Sequence, residues 1–551
     1  MAKSKTAKKP TKKKAAKKKP ASKKSFEQTL WDTADKLRGT VESSEYKHVV
    51  LSLIFLKFVS DRFEARRQEI IDEGHDDHVD MVEFYTMKNV FYLPKKSRWS
   101  TIVKQAKQDD IAVRIDSALH AVEKNNPSLK GALPDNYFSR MGIDVAKLAA
   151  LIDSINNINT VEDSQAGAAG EEDIVGRVYE YFLGKFAATE GKGGGEFYTP
   201  KCVVNLIAEM IEPYSGKIYD PCCGSGGMFV QSVKFITSHS GNQKDISIYG
   251  QEQTSTTYKL AKMNLAIRGI SGNLGEVPAD TFFKDQHPDL KADYIMANPP
   301  FNLKAWRGTD ELTDDARWSG YEVPPTGNAN YGWILHMISK LSENGIAGFV
   351  LANGSMSTST KGEGDIRQKI IENDLVDCMI ALPGQLFYTT QIPVCLWFLT
   401  KSKRARKVKG RSESNQRART GETLFIDARN HGSMIDRTHK ELTEADIAEI
   451  VDTYHNWRSD KYKPDAQASE SNAIYKDTPG FCKSSSIEDI AAHDYVLTPG
   501  RYVGAAPLED DGIPFETKMT DLTTTLYQQM DDAKKLDKSI QKNLEALGYG
   551  K

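Results

Sequence analysis

The sequence predicts an α/β protein with a mostly parallel sheet, a helical N-terminal domain and a helical C-terminal extension. Two patterns predict it. From about residue 166, short β-rich runs alternate with stretches whose apolar residues recur at helical spacing, as βαβ units require. On either side of that region apolar residues fall at intervals of three and four. At 551 residues the chain is also too long for one core, since a domain takes roughly 100–200 residues.

Taken in order, residues 1–25 hold twelve Lys and no acid, and no apolar residue larger than Ala follows Met1. Such a tail cannot bury a core and is expected to be disordered on its own. The whole chain carries −2, so those twelve lysines leave −14 on the body. Clustered Lys attracts nucleic-acid phosphate without reading sequence, and a solubilising extension fits the composition equally well. A transit peptide fits less well, because the tail has no Arg and no apolar face.

Residues 26–165 read as all-helical, with Leu51, Ile54, Phe55 and Phe58 spaced to share a helix face. His75-Asp76-Asp77-His78 brings two His near each other, but an acidic surface turn is the expectation and no metal centre is predicted. Residues 166–480 hold the sheet. Its runs are Lys217–Asp220, Ile246–Gly250, Ala292–Ala297, Ala347–Ala352, Val376–Leu382, Val394–Leu399 and Thr423–Asp427. Helical stretches at Met228–Thr237, Tyr258–Ile267 and Trp333–Ser342 separate some of them. The basic stretch Lys401–Arg419 reads as an exposed loop. Residues 481–551 read as helical, ending in a helix over Thr520–Leu547 on which Leu522, Leu526, Met530, Leu536, Ile540 and Leu544 fall near a three-to-four spacing.

The six cysteines form no CxxC pair and follow no secretory leader, so reduced thiols in a cytoplasmic protein are expected. The longest apolar stretch, Val49–Val59, is broken by Ser52 and Lys57, which leaves nothing near the ~20 residues of a membrane span.

In sheets of this kind ligands sit at the carboxyl ends of the strands, so motifs there weigh most. The first run ends at Asp220 and continues as Pro221-Cys222-Cys223-Gly224-Ser225-Gly226-Gly227. The glycines allow close backbone approach, and the pattern lacks both G-x-G-x-x-G and a Walker Gly-Lys-Ser/Thr. A carboxylate there repels a diphosphate and suits the ammonium of an amino-acid-like ligand such as S-adenosylmethionine. Glu252, just past the second run, is placed to accept from two ribose hydroxyls, and Asp280, at the end of Glu276–Ala279, from an adenine amino group.

The sharpest signal is Asn298-Pro299-Pro300-Phe301, directly after Ala292–Ala297. Two prolines fix φ and remove two backbone donors, so carbonyls in the turn remain as acceptors beside the Asn side-chain oxygen. Such acceptors can take both hydrogens of an exocyclic amine and aim its lone pair at an electrophilic methyl. Phe301 can stack on a base drawn out of its duplex. A rigid proline turn is the plain alternative; the position at a strand end favours chemistry.

Together these residues resemble the amino-group class of S-adenosylmethionine-dependent DNA methyltransferases, and closely the modification (M) subunits of type I restriction-modification systems. The resemblance runs from about residue 26 to the end. It rests on LWDTADKLRGTVESSEYKHVVLSLIFLKFVSDRFE, GEFYTP at 195–200, DPCCGSGGM at 220–228, NPPF at 298–301, LPGQLFYTTQIPVCLWFL at 382–399 and LTPGRYVG at 497–504. It implies a Rossmann-like methyltransferase domain that transfers methyl from S-adenosylmethionine to adenine N6. Gly195, Glu196, Phe197, Tyr198 and Thr199 would cover the cofactor's methionine end, and Asp220 with Gly224, Ser225 and Gly226 would form the cofactor loop. Glu252 and Asp280 would complete the cofactor contacts, and Asn298, Pro299, Pro300 and Phe301 would activate and hold the target adenine.

The implied partners are double-stranded DNA, a specificity (S) subunit that chooses the site, a second M subunit and a restriction (R) subunit. The final helix would meet the specificity subunit. Two other readings are a protein-glutamine methyltransferase, which would use the same proline turn, and a catalytically idle DNA-binding assembly subunit. The long helical N-terminal domain and GEFYTP argue against the first, and intact Asp220 and Asn298 against the second.

Overall fold

A nine-stranded sheet organises the catalytic region. In the computed structural model its strands are β1 (Gly216–Asp220), β2 (Ile246–Gly250), β3 (Gly272–Asn273), β4 (Ala292–Ala297), β5 (Leu341–Ala352), β6 (Val376–Ala381), β7 (Val394–Thr400), β8 (Glu422–Asp427) and β9 (Cys482–Ser486). The structure describes residues 31–32, 35, 43–88, 90–157, 181–182, 199–239, 241–360, 362–387, 391–408, 414–462, 474–505 and 515–549.

The spatial order is β9-β8-β6-β7-β5-β4-β1-β2-β3. Counted from the β3 edge, the first seven strands follow 3-2-1-4-5-7-6, a doubly wound order with one strand inserted between 5 and 6. That strand, β7, is antiparallel to both neighbours, and β9 is antiparallel to β8; the other pairs are parallel. Parallel strands must be covered on both faces, which explains why β6 is buried along its whole length and β5 over Gly345–Ala352. On β5 and β7, Val350, Leu396 and Phe398 face one core, and Phe349, Leu351, Cys395 and Trp397 face the other.

Among the helices, α1 (Ser43–Asp72), α2 (Ile111–Asn125) and α3 (Val145–Asn156) belong to the N-terminal region. Helices α4 (Lys201–Ile211), α5 (Gly227–Ser238), α6 (Ser255–Ile267), α7 (Asn330–Lys340), α8 (Glu363–Glu372) and α9 (Glu444–Arg458) clothe the sheet. Leu51, Ile54, Phe55 and Phe58 are buried, but so are His48, Ser52 and Lys57 between them. Helix α1 is therefore enclosed on all sides there. Leu260, Met263 and Ile267 of α6 enter the N-terminal core, which fastens that region to the sheet.

Two local expectations change. The segment from 481 begins with an edge strand, β9, whose CKSSS sequence lacks the β-branched pattern that marks strands. The stretch Lys401–Arg419 is not an exposed loop throughout: it includes a small hairpin, Arg406–Val408 with Ser414–Gln416, and Lys403, Arg417 and Arg419 are buried. Arg419 pairs with the fully buried Asp377 at 3.0 Å, Lys403 with Asp374 at 2.6 Å and Arg417 with Glu422 at 2.7 Å. Burial alone would raise the Asp377 carboxyl, but Arg419, Lys403 and Arg458 hold it below its usual range.

His78 of the HDDH turn stacks on Phe84 at 4.8 Å between centroids. No helix among the described residues is long and apolar enough to cross a membrane. All six cysteines are free thiols. The chain divides after Val503. In the second unit, α10 (Phe515–Ala546) has no buried residue, and Leu522, Leu526, Met530, Leu536, Ile540 and Leu544 are exposed along it.

Candidate active site

The carboxyl ends of β4, β1 and β2 lie side by side, and strand order reverses between β1 and β4. That is where open α/β sheets bind ligands. Asp220 ends β1, Glu252 lies two residues past β2, and Asn298 follows β4 directly.

Asp220 is 1% exposed, and its Oδ1 accepts from the Cys222 amide at 3.0 Å. Beyond the strand ends the backbone pairing continues: Gln251 N donates to Asp220 O at 3.1 Å, and Cys223 N to Gln251 O at 2.9 Å. Burial pushes the Asp220 carboxyl up to about 7, helped by the charge of Glu252 and opposed by the Cys222 hydrogen bonds. Glu252 accepts from Gly224 N at 3.1 Å and Thr254 N at 2.7 Å, which ties the glycine loop to the end of β2. Gly224 and Gly226 have φ of +53° and +79°, a backbone that side chains disfavour. Ser225 is held through its carbonyl by Asn264 Nδ2 at 2.7 Å. Two acids at this mouth, one destabilised by burial, make a donor set suited to a cationic ligand with hydroxyls.

Asp280 lies beyond these acids in an irregular segment. Gln251 Nε2 donates to the carbonyls of Ala279 (3.1 Å) and Lys284 (2.8 Å), and Gln251 Oε1 accepts from Gln286 N at 3.0 Å. This fully buried side chain anchors the segment that carries Asp280. Asp280 Oδ1 accepts from Phe282 N at 2.7 Å.

On the β4 side, Asn298 is 8% exposed. Its Nδ2 donates to Thr199 Oγ1 at 3.0 Å, while its Oδ1 is buried with no hydrogen-bond partner among the described residues. Buried amide oxygens are normally paired, so this one is left available as an acceptor. Pro299 is buried, and Phe301 is half-buried with its ring edge-on to Phe387 at 5.9 Å. The chain then turns through Asn302 at φ +53°. Its amide group is matched by Asn330: Asn302 N donates to Asn330 Oδ1 at 3.0 Å, and Asn330 Nδ2 to Asn302 Oδ1 at 2.9 Å.

The structure thus gathers Thr199, Asp220, Gly224, Ser225, Gly226, Glu252, Asn298, Pro299, Pro300 and Phe301 around adjoining strand ends, with Asp280 beyond β2. Gly195, Glu196, Phe197 and Tyr198 lie outside the described residues. Thr199, expected at the cofactor's methionine end, is bonded to Asn298. Sequence reading missed Gln251, Asn330 and Phe387. Phe387 alone had a visible signal, inside the run at 382–399.

The fold and the turn after β4 define a Rossmann-like methyltransferase of the amino-group class. A family model described as N-6 DNA Methylase matches residues 170–511, and one described as HsdM N-terminal domain matches residues 26–155. The methylase subunit of the type I restriction enzyme HindI from Haemophilus influenzae is 46% identical over 472 residues, covering 83% of this chain and all of that protein. The MjaIX methylase subunit from Methanocaldococcus jannaschii is 39% identical over 543 residues, covering 95% and 92%. A type I restriction-modification methyltransferase subunit from Streptococcus thermophilus shares the fold, with a TM-score of 0.69 at 23% identity, covering 87% of this chain and 99% of that one. The chain belongs to the N-6 DNA methylase family, as a methylase subunit of type I restriction-modification systems, and is an adenine-specific DNA methyltransferase.

Proposed function

We propose that this subunit transfers a methyl group from S-adenosylmethionine to adenine N6 in double-stranded DNA, at sites chosen by a separate specificity subunit. The observation that carries this reading is the Asn298 side chain, whose Nδ2 is anchored on Thr199 while its buried Oδ1 faces no partner among the described residues. That oxygen, with a carbonyl of the proline turn, accepts the two hydrogens of the target amine. The nitrogen lone pair is thereby withdrawn from the ring and aimed at the sulfonium methyl: the N–C bond forms as the S–C bond breaks, S-adenosylhomocysteine leaves, and the nitrogen gives up one proton to water. No nucleophilic side chain is needed, and catalysis is positioning plus lone-pair activation.

S-adenosylmethionine supplies an electrophilic methyl on a sulfonium. Asp220 would hold its ammonium group, the Gly224–Gly226 backbone would lie against it, Glu252 would accept from its ribose and Asp280 from its adenine. Residues 195–199 would cover the methionine end, and Phe301 would stack on the extruded base.

In this reading residues 1–25 are a Lys-rich tail, 26–165 a helical domain, 166–480 the catalytic domain and 481–551 the region that meets the specificity subunit. The exposed apolar row on α10 supports that contact. A second methylase subunit and a restriction subunit complete the assembly, which acts on DNA in the cytoplasm. The test is incubation with labelled S-adenosylmethionine, DNA and the specificity subunit encoded beside it. Label is expected on adenine N6; label on protein would favour a glutamine methyltransferase, and none in any mixture an idle subunit.

A further inference from the structure

Residues 302–329, between the turn after β4 and α7, fold back over the segment that carries Asp280. Trp306 and Trp333 pack on Phe282 at 4.4 and 4.3 Å between centroids. Within this packing lies Arg317, only 11% exposed. Its Nη1 donates to the Thr281 carbonyl at 3.1 Å and its Nη2 to the Phe282 carbonyl at 2.6 Å. Nε and Nη2 also grip the Asp315 carboxylate at 2.7 and 2.6 Å, which fixes the plane of the fork.

The carbonyl of Thr281 and the N–H of Phe282 belong to one rigid peptide plane. Arg317 pins its carbonyl, and its N–H donates to Asp280 Oδ1 at 2.7 Å. The orientation of that peptide therefore sets the orientation of the Asp280 carboxylate. Behind the fork, Arg317 Nη1 lies 3.3 Å from His336 Nδ1, and His336 Nε2 lies 3.0 Å from the Tyr219 hydroxyl. Burial first, and then the charge of Arg317, push His336 down to about 3. A neutral His336 accepts at Nδ1 from Arg317 and donates at Nε2 to Tyr219, the residue before Asp220. One hydrogen-bonded chain thus runs from the Asp280 segment to the end of β1.

We propose that Arg317 is a positioning residue that presents Asp280 to the exocyclic amino group of the cofactor's adenine, so that the pocket distinguishes a 6-amino from a 6-oxo purine. This rests on the reading of Asp280 given above. A lysine offers a single ammonium in place of the planar fork and cannot hold two carbonyls and a carboxylate in one plane.

The experiment is calorimetric titration of the full chain with S-adenosylhomocysteine and with its inosine counterpart, for the wild type, Arg317→Lys and Asp280→Asn. The wild type is expected to prefer the adenine ligand. Arg317→Lys should raise the Kd for that ligand about tenfold, the scale of one lost hydrogen bond, and leave the inosine Kd unchanged. Equal weakening of both ligands by Arg317→Lys would mean a merely structural role and overturn the proposal. If Asp280→Asn keeps the wild-type preference, the reading of Asp280 falls and the proposal with it. If Asp280→Asn loses the preference and Arg317→Lys keeps it, the proposal alone falls. Should Arg317→Lys fail to fold, Asp315→Asn loosens the same fork and is read by the same ratio.

Discussion

Asn298 Nδ2 donates to Thr199 Oγ1 at 3.0 Å, a bond between residues 99 positions apart that fixes which end of the amide faces the ligand position. An amide has a donor end and an acceptor end, and only the acceptor end can take an amine hydrogen. With Nδ2 committed to Thr199, Oδ1 is presented. Thr199→Val removes the anchor at nearly constant volume. We expect kcat for adenine methylation to fall about tenfold, in line with one hydrogen bond. Steady-state kinetics check this, and an unchanged kcat would show that the anchor is dispensable.

Asp220 is expected to make the binding of S-adenosylmethionine pH-dependent. Its folded value of about 7 lies above the ~3.9 of an exposed Asp, so folding takes up a proton between those values. Stability therefore falls as pH rises toward 7 and stays reduced above it. Asp220→Asn should unfold at a higher temperature than the wild type at pH 8, with the difference vanishing near pH 4. Affinity for S-adenosylmethionine should move the other way: in the wild type it weakens as pH falls through about 7, and in Asp220→Asn it is weak and flat. Calorimetry of unfolding and of binding across that range measures both.

Arg419 is a structural cation. Arg419→Ala leaves the fully buried Asp377 without the guanidinium that pairs with it at 3.0 Å, and breaking a buried pair costs roughly 3–5 kcal/mol. We expect a loss of that order in urea unfolding. If the basic stretch instead served DNA, Arg419→Ala would flatten the salt dependence of DNA binding and spare stability.

The Lys-rich tail is the opposite case. Deleting residues 1–24 removes clustered charge from a chain whose remainder carries −14. DNA affinity of the assembled complex should drop and its dependence on salt concentration should become shallower. An unchanged slope would leave solubility as the tail's role.

These contrasts show what the sequence displays and what it hides. The strands at Ile246–Gly250, Ala292–Ala297 and Val394–Thr400 are legible because each is a short run in which apolar and aromatic residues predominate. Asn298, Asp220 and Glu252 are legible because each sits at the end of such a run. Arg419 was misread because its partners, Asp377 and the Gln416 side chain among them, come together only in the fold. Edge strand β9 escaped because Cys482–Ser486 is polar. Gln251, Asn330 and Arg317 act through backbone carbonyls and amides far away in the chain, and no local pattern marks such contacts.

The most direct measurement is the single-turnover rate of N6-methyladenine formation by Asn298→Ala, assembled with its specificity subunit on DNA containing the site. If Asn298 Oδ1 takes a hydrogen of the target amine, the rate falls by a factor of about 10² to 10³, the loss seen when one preorganised polar contact to a reacting group is removed, while the Kd for S-adenosylhomocysteine stays at the wild-type value. A rate within threefold of the wild type would contradict the account.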